Sequence, residues 1–154
     1  MAETNPVHVS LREVTGETVR TICRLEVKPT QQNFVAPNAL SIAEAYFTEE
    51  AWFRAIYADE TPVGFVMLYD NATEGRYYLW RFMIDQHYQG LGYGGRALEL
   101  VIDHVRGRPQ ASELGVSYVP GEGSPGAFYR RYGFVETGEV HGGERVMRLE
   151  IEKR

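Results

Sequence analysis

The sequence predicts an α+β fold: a mostly antiparallel mixed sheet of about seven strands flanked by about four helices. Three observations carry this reading. Three apolar strand-like runs, Trp52 to Ala58, Val63 to Tyr69 and Tyr77 to Ile84, follow one another across short polar turns, the pattern of an antiparallel meander. A glycine-rich turn, Gln89-Gly90-Leu91-Gly92-Tyr93-Gly94-Gly95-Arg96, joins the third run to a strongly helical segment. A further strand, a short helix and a terminal hairpin follow, so one strand–helix–strand crossover is expected to pass through the glycines.

Taken in order, Val7, Val9 and Leu11 alternate with polar residues and read as a first strand. From Thr18 to Leu25 the apolar spacing becomes helical. The polar loop Lys28 to Asn38 holds an embedded Phe34-Val35 pair between two prolines, and its length inside a compact fold favours a functional role. A short helix is expected from about Leu40 to Phe47. The turns of the meander are Asp59-Glu60-Thr61-Pro62 and Asn71-Ala72-Thr73-Glu74-Gly75. Ala97, Leu98, Val101, Ile102 and Val105 mark one apolar face of a helix that runs to Arg106 and ends at Gly107 and Pro109. Leu114 to Val119 is a strand. Ser124 as N-cap, with Pro125 at the first helical position, starts a helix over Gly126 to Tyr132, and Gly133 closes it. Phe134 to Val140 and Arg145 to Ile151 form a hairpin across His141-Gly142-Gly143-Glu144.

At 154 residues the chain suits a single domain spanning 1–154 with one core. Its 44% hydrophobic and 24% charged residues are ordinary for a soluble globular protein. No apolar run approaches the 18 residues of a membrane span, and Met-Ala-Glu-Thr-Asn-Pro lacks the basic and apolar regions of a signal peptide. The lone Cys23 cannot form an internal disulfide and falls in a helical apolar pattern with Val19 and Ile22, so it reads as a buried structural thiol in a cytoplasmic protein. A net charge of −5 and a pI near 5.4 argue against nucleic acid as a partner and are compatible with a cationic substrate.

The glycine turn carries the chemistry. Four glycines in six residues allow positive φ and a close approach of backbone to ligand. Their amides converge at a helix N-terminus, where unsatisfied donors and the helix dipole favour phosphate. No Lys-Ser or Lys-Thr pair follows, which excludes a P-loop. Gly90, Gly92 and Gly95 formally spell the dinucleotide fingerprint, but the next strand has its one acid, Glu113, at its start and not at its end.

Read in another frame, Gln89-x-x-Gly92-x-Gly94 resembles the acyl-CoA signature of the GNAT superfamily of N-acetyltransferases. A second motif, Phe128-Tyr129-x-x-x-Gly133-Phe134, is similar to that family's carboxy-terminal signature, and the element order is similar to its fold. Gln32, Phe34-Val35-Ala36, Asn38, Ser41, Ala43 to Tyr46, Arg81 to Asp85 and Gly143-Glu144 look like its bacterial spermine/spermidine acetyltransferase-like branch. Glu122 stands where the family commonly has an Asn, and Gly and Pro crowd residues 120–126, which should shorten the last helix at its start.

The resemblance implies an acetyl-CoA-dependent N-acetyltransferase in which a primary amine attacks the thioester directly and no metal takes part. A possible homodimer is a family-level expectation. Cofactor contacts are implied for Phe82, Met83 and Ile84, for Gln89, Gly90, Leu91, Gly92, Tyr93, Gly94, Gly95 and Arg96 of the turn, and for Phe128, Tyr129 and Arg131. Tyr129 is the implied general acid: a phenol of pKa about 10 is protonated at neutral pH and can donate to a thiolate whose conjugate acid lies near ~8.5. Acceptor contacts are expected from Gln32, Phe34, Asn38, Tyr46 and Trp80. Strand alternation turns Arg81 away from Trp80 and Phe82, into an internal salt bridge or toward a carboxylate-bearing substrate. Glu44, Asp70, Glu74 and Glu122 are unranked candidates for a base acting through water, and His8, His87, His104 and His141 read as surface histidines. A polyamine-like small molecule is the acceptor the resemblance favours; the alternatives are a non-catalytic acyl-CoA sensor on the same fold and acetylation of an amino-acid or peptide amine.

Overall fold

The computed structural model describes residues 6–152; Met1 to Asn5, most of the stretch expected not to be a signal peptide, lie outside the described residues. The strands are β1 (Val9–Arg12), β2 (Ala51–Ala58), β3 (Thr61–Asn71), β4 (Arg76–Ile84), β5 (Glu113–Tyr118), β6 (Val135–His141) and β7 (Glu144–Glu150). The helices are α1 (Val19–Arg24), α2 (Asn38–Tyr46), α3 (Tyr93–Arg106) and α4 (Gly126–Arg131). One seven-stranded sheet has the order β1-β2-β3-β4-β5-β7-β6. Every neighbouring pair is antiparallel except β4 and β5, which the α3 crossover makes parallel. The meander and the terminal hairpin therefore stand as expected, while β7 takes the place next to β5 and leaves β6 at the edge.

The two faces of the sheet bury separate clusters. On one, Leu98, Val101 and Val105 of α3 pack with Val66, Leu68, Leu79, Leu114 and Met147, and Tyr129 and Phe134 extend this layer. Fully burying a Leu or Val contributes ~1.5–3 kcal/mol, so the apolar stripe of α3 is what holds the crossover on the sheet. On the other face, Ile22, Val27, Phe65, Met67 and Met83 gather beneath α1 and α2, with Trp80 packed against them. Cys23 is a free thiol and only half-buried, because α1 turns its neighbour Ile22 fully inward instead.

Three local features position the site. Met67 pairs with Arg81 and Leu68 with Leu79, which leaves Trp80 as an extra residue on β4, a β-bulge. Pairing of β4 to β5 is limited to Tyr78 with Gly115 and Leu79 with Val116, so the two strands part directly at the bulge. Finally, Asp85 accepts hydrogen bonds from the N–H of Glu26 (3.0 Å) and the N–H of His87 (2.9 Å), tying the end of β4 to the segment after α1.

Candidate active site

A cleft of about 800 Å³ opens where β4 and β5 diverge. One wall is Leu79 to Ile84 and the opposite wall Val116, Ser117 and Val119. Beyond Leu79, no strand among the described residues pairs with the edge of β4 that faces this gap, so its main-chain groups are available to a ligand. The glycine turn closes one end of the cleft, and the loop from Gln31 to Pro37 covers a side.

The glycines divide by task. Gly90 (φ 77°) and Gly92 (φ 84°) have left-handed backbones, and a Cβ at either would meet nothing within 4 Å. Gly92 is the N-cap of α3, which starts four residues earlier than expected because Tyr93 to Arg96 are already helical. Gly94 and Gly95 serve packing instead: a Cβ on Gly95 would run into the Tyr132 ring of α4, and one on Gly94 would lie 3.5 Å from Ile84. The result is an open, donor-rich helix terminus beside the strand fork, which fits a pyrophosphate. Gln89 does not point its amide into the cleft as a free donor. Its Nε2 donates to the carbonyl of Ile84 and to Oε1 of Gln31, both at 2.9 Å, and so fixes the covering loop to the turn.

Tyr129 is held by the way α4 ends. The N–H of Gly133 donates to the carbonyl of Arg130 (3.1 Å) and the N–H of Phe134 to that of Tyr129 (3.2 Å), with Gly133 at φ 99°. This is a Schellman cap, and its apolar partners are the Tyr129 and Phe134 rings, 5.5 Å apart. The spacing aromatic-Tyr-x-x-x-Gly-Phe is therefore a helix terminator that also aims the tyrosine. Helix α4 begins at Gly126 as expected and ends one residue sooner, at Arg131, with Pro125 in place of Ser124 as its cap, and Ser124 Oγ accepts from the N–H of Gly126 at 3.3 Å. Tyr129 is buried yet lines the cleft, and its hydroxyl has no hydrogen-bond partner among the described residues. Burial first, and then the neighbouring Tyr78, raise its pKa above that of a free phenol, so it stays protonated.

The bulge corrects the expectation for Arg81. One extra residue puts Trp80 and Arg81 on the same face in succession, and the guanidinium lies 5.6 Å from the Trp80 ring. Arg81 Nη2 donates to Glu44 of α2 at 3.3 Å and Nη1 to the carbonyl of Trp80 at 3.2 Å, while Nε is buried without a partner among the described residues. The internal salt bridge is present.

Of the sequence-predicted residues, the structure brings Gln32, Phe34, Trp80, Phe82, Met83, Ile84, Gln89, Gly90, Gly92, Tyr93, Gly94, Gly95, Phe128, Tyr129 and Arg131 to the cleft. Four lie elsewhere. Asn38 is 2% exposed and donates from Nδ2 to the carbonyl of Ile22 at 2.9 Å, so it braces α1 against α2. Tyr46 is 85% exposed at the end of α2, edge-on to Phe47. Leu91 points to solvent at the tip of the turn, and Arg96 donates to the carbonyl of Val7.

The candidate bases are also sorted. Glu44 is engaged by Arg81. Asp70 is buried between His104 and Arg108, each at 3.0 Å. His104 is accordingly no surface histidine: it is half-buried and stacks on Trp52 at 4.1 Å. Glu74 pairs loosely with Arg76, and Glu122 is exposed next to the cleft residues Gly123 and Ser124 without lining the wall. Sequence reasoning gave Ser117 and Tyr78 no part in the site, and named Glu144 only within the Gly143-Glu144 resemblance, without a role. Glu144 and Ser117 line the cleft, and the hydroxyls of Tyr78 and Ser117 hydrogen-bond across the fork. Parallel pairing of β4 with β5 and the register of β7 would have been needed to find them.

A sheet forked at a bulge, with a glycine helix terminus at its mouth and a capped tyrosine in its wall, can hold an extended ligand along β4 and an anionic group at the glycines. The acetyltransferase (GNAT) family model matches residues 19–134, and the chain belongs to that family. It is an N-acetyltransferase, with acetyl-CoA as cosubstrate. It is similar to a probable spermine N(1)-acetyltransferase of Bacillus subtilis subsp. natto, 28% identical over 150 residues that cover 93% of this chain and 99% of that one. An acetyltransferase from Thermus thermophilus superposes with a TM-score of 0.75 at 16% identity, covering 92% of this chain and 96% of that one. The N-acetylglutamate synthase of Neisseria gonorrhoeae, solved with coenzyme A and N-acetyl-glutamate, gives 0.73 at 18% identity, over 97% of this chain and 36% of that one. Among the described residues no helix is long and apolar enough to cross a membrane.

Proposed function

We propose that this chain acetylates a primary amine of a small, polyamine-like cation by direct attack of the amine on the thioester. The observation that carries the reading is the forked cleft itself, with a buried, protonated tyrosine beside unpaired β4 backbone. Acetyl-CoA, when bound, supplies an activated acyl group on a good leaving thiol. The glycine turn, with Arg131 close by, receives the pyrophosphate. The main chain of Phe82 to Ile84 pairs with the extended arm, and its inward N–H groups polarise the carbonyl oxygen as charge develops. Phe128 packs 6.0 Å from Phe82 and lines the arm from the α4 side. Tyr129 holds the proton that the departing sulfur requires. Gln32, Phe34 and Trp80 form the acceptor side, where apolar surface strips water from the amine before attack.

The polyamine preference is supported by the name of the Bacillus relative and by the ion pair that occupies Arg81. A carboxylate-bearing acceptor would have to compete with Glu44 for the guanidinium. A cytoplasmic location and a homodimer belong to the same reading. The test is release of free CoA thiol with spermidine, spermine, diamines, amino acids and aminoglycosides as acceptors. Release with polyamines and not amino acids is expected. Release confined to amines bearing a carboxylate moves acceptor recognition to Arg81, and acetyl-CoA binding without transfer to any amine establishes the sensor instead.

A further inference from the structure

We propose that Glu144 is the cation anchor of the acceptor: its carboxylate takes an ammonium group of the amine and selects charged acceptors over neutral ones. This rests on the acyl-transfer reading above.

The placement follows from register. Tyr118 pairs with Arg145 and Ser117 with Val146, so Glu144 stands just past the open end of β5. Along β7, Met147 and Leu149 pack into the cluster beneath α3, and Ile151 just beyond it does the same. Alternation sends Glu144 to the opposite face, the face of Trp80 and Arg81. The hairpin turn before it, Gly142 (φ 58°) and Gly143 (φ 83°), brings β7 in tightly at that point.

Glu144 is the one carboxylate on the cleft wall among the described residues, and it has neither an ion pair nor a side-chain hydrogen bond there. Its hairpin neighbour Glu139 is engaged by Arg148 (3.5 Å) and His141 (3.7 Å), and Glu44 by Arg81. The Tyr78 phenol is raised by burial, lowered by its hydrogen bond with Ser117, and then raised by the charge of Glu144 and lowered by that of Arg81, so both charges act at this ring. Glu44 pairs with Arg81, which leaves Glu144 as the unpaired charge of the cleft lining at this end among the described residues. At the far end the α3 N-terminus and Arg131 are positive. The cleft is therefore polarised along its length, anion-seeking at the glycines and cation-seeking at the hairpin.

The experiment compares wild type, Glu144→Gln and Glu139→Gln. Spermidine binding to the CoA-saturated chain is measured by calorimetry, and KM and kcat by CoA thiol release. The Gln variant keeps the shape and removes the charge. Spermidine affinity should fall about tenfold or more in E144Q, as for loss of a charge-assisted hydrogen bond. KM should rise in parallel, more than kcat falls, and the Kd for acetyl-CoA should hold. Raising ionic strength should weaken spermidine binding in wild type and in E139Q, and much less in E144Q. Equal spermidine affinity and equal salt response in wild type and E144Q overturn the proposal while acetyl transfer continues. Wild type that binds spermidine without transferring acetyl refutes the acyl-transfer reading, and the binding comparison still decides Glu144. Wild type that binds no polycation overturns the anchor outright.

Discussion

Replacing Tyr129 with Phe separates chemistry from packing at a single atom. The ring sits 5.6 Å from Phe128 and 5.5 Å from Phe134, and both contacts survive the change. The hydroxyl has no protein partner among the described residues, so its removal breaks no hydrogen bond. Stability should shift by no more than about 1 kcal/mol in either direction, or roughly 2–4 °C in Tm for a chain of this size. The kinetic effect should be far larger. A positioned general acid contributes ~10²–10⁴ in rate, which corresponds to about 2.7–5.5 kcal/mol of activation free energy. Burial, with Tyr78 adding to it, raises the phenol, so Tyr129 remains protonated at alkaline pH. Its own ionisation should therefore leave no alkaline fall in kcat below about pH 10. The assay is CoA thiol release with both substrates saturating, alongside thermal denaturation. A kcat within about threefold of wild type in a normally folded variant would refute the acid role. A Tm loss well beyond about 4 °C would show instead that the hydroxyl matters for packing.

Other outcomes follow from the same geometry. At Gly64 a Cβ would strike the Met83 carbonyl and lie 2.9 Å from Ile84 Cδ1, so Gly64→Ala should cost about 1–3 kcal/mol and raise KM for acetyl-CoA by shifting the cleft end of β4, read by denaturation and kinetics. Burial opposes ionisation of Asp85, but the N–H groups of Glu26 and His87 and the His87 imidazole outweigh it and hold the carboxyl below its ordinary 3.8. Its folded pKa being depressed, its stabilisation is fully present above about pH 4 and is lost as pH falls through the lower folded value. Asp85→Asn should thus lower Tm at pH 7 and lose that difference toward about pH 3, and an unchanged gap would contradict the linkage. Asn38→Ala should reduce Tm with little change in acceptor KM, since its amide braces Ile22. Tyr46→Ser should alter neither, because that ring is 85% exposed outside the cleft.

Much of this protein was legible in one dimension because its signals are local. Strand alternation, the apolar stripe of α3, the Gly133 cap and the clustered glycines all act within a few residues, so their periodicity and spacing predict the elements and the phosphate-seeking turn. The aromatic-Tyr-x-x-x-Gly-Phe motif belongs here too, because a Schellman cap is closed by residues five apart. What the linear pattern does not contain is pairing between distant segments. The bulge at Trp80 depends on how β3 registers against β4, and that single extra residue reversed the direction expected of Arg81. Asn38 and Tyr46 lie on the correct helix, but α2 turns one inward against α1 and the other to solvent. The insertion of β7 between β5 and β6 places Glu144 on the cleft wall, some sixty residues from Trp80 in sequence. Local propensity therefore determined the elements and the anion end of the site. Sheet order and register, fixed by long-range burial, decided which side chains face the acceptor.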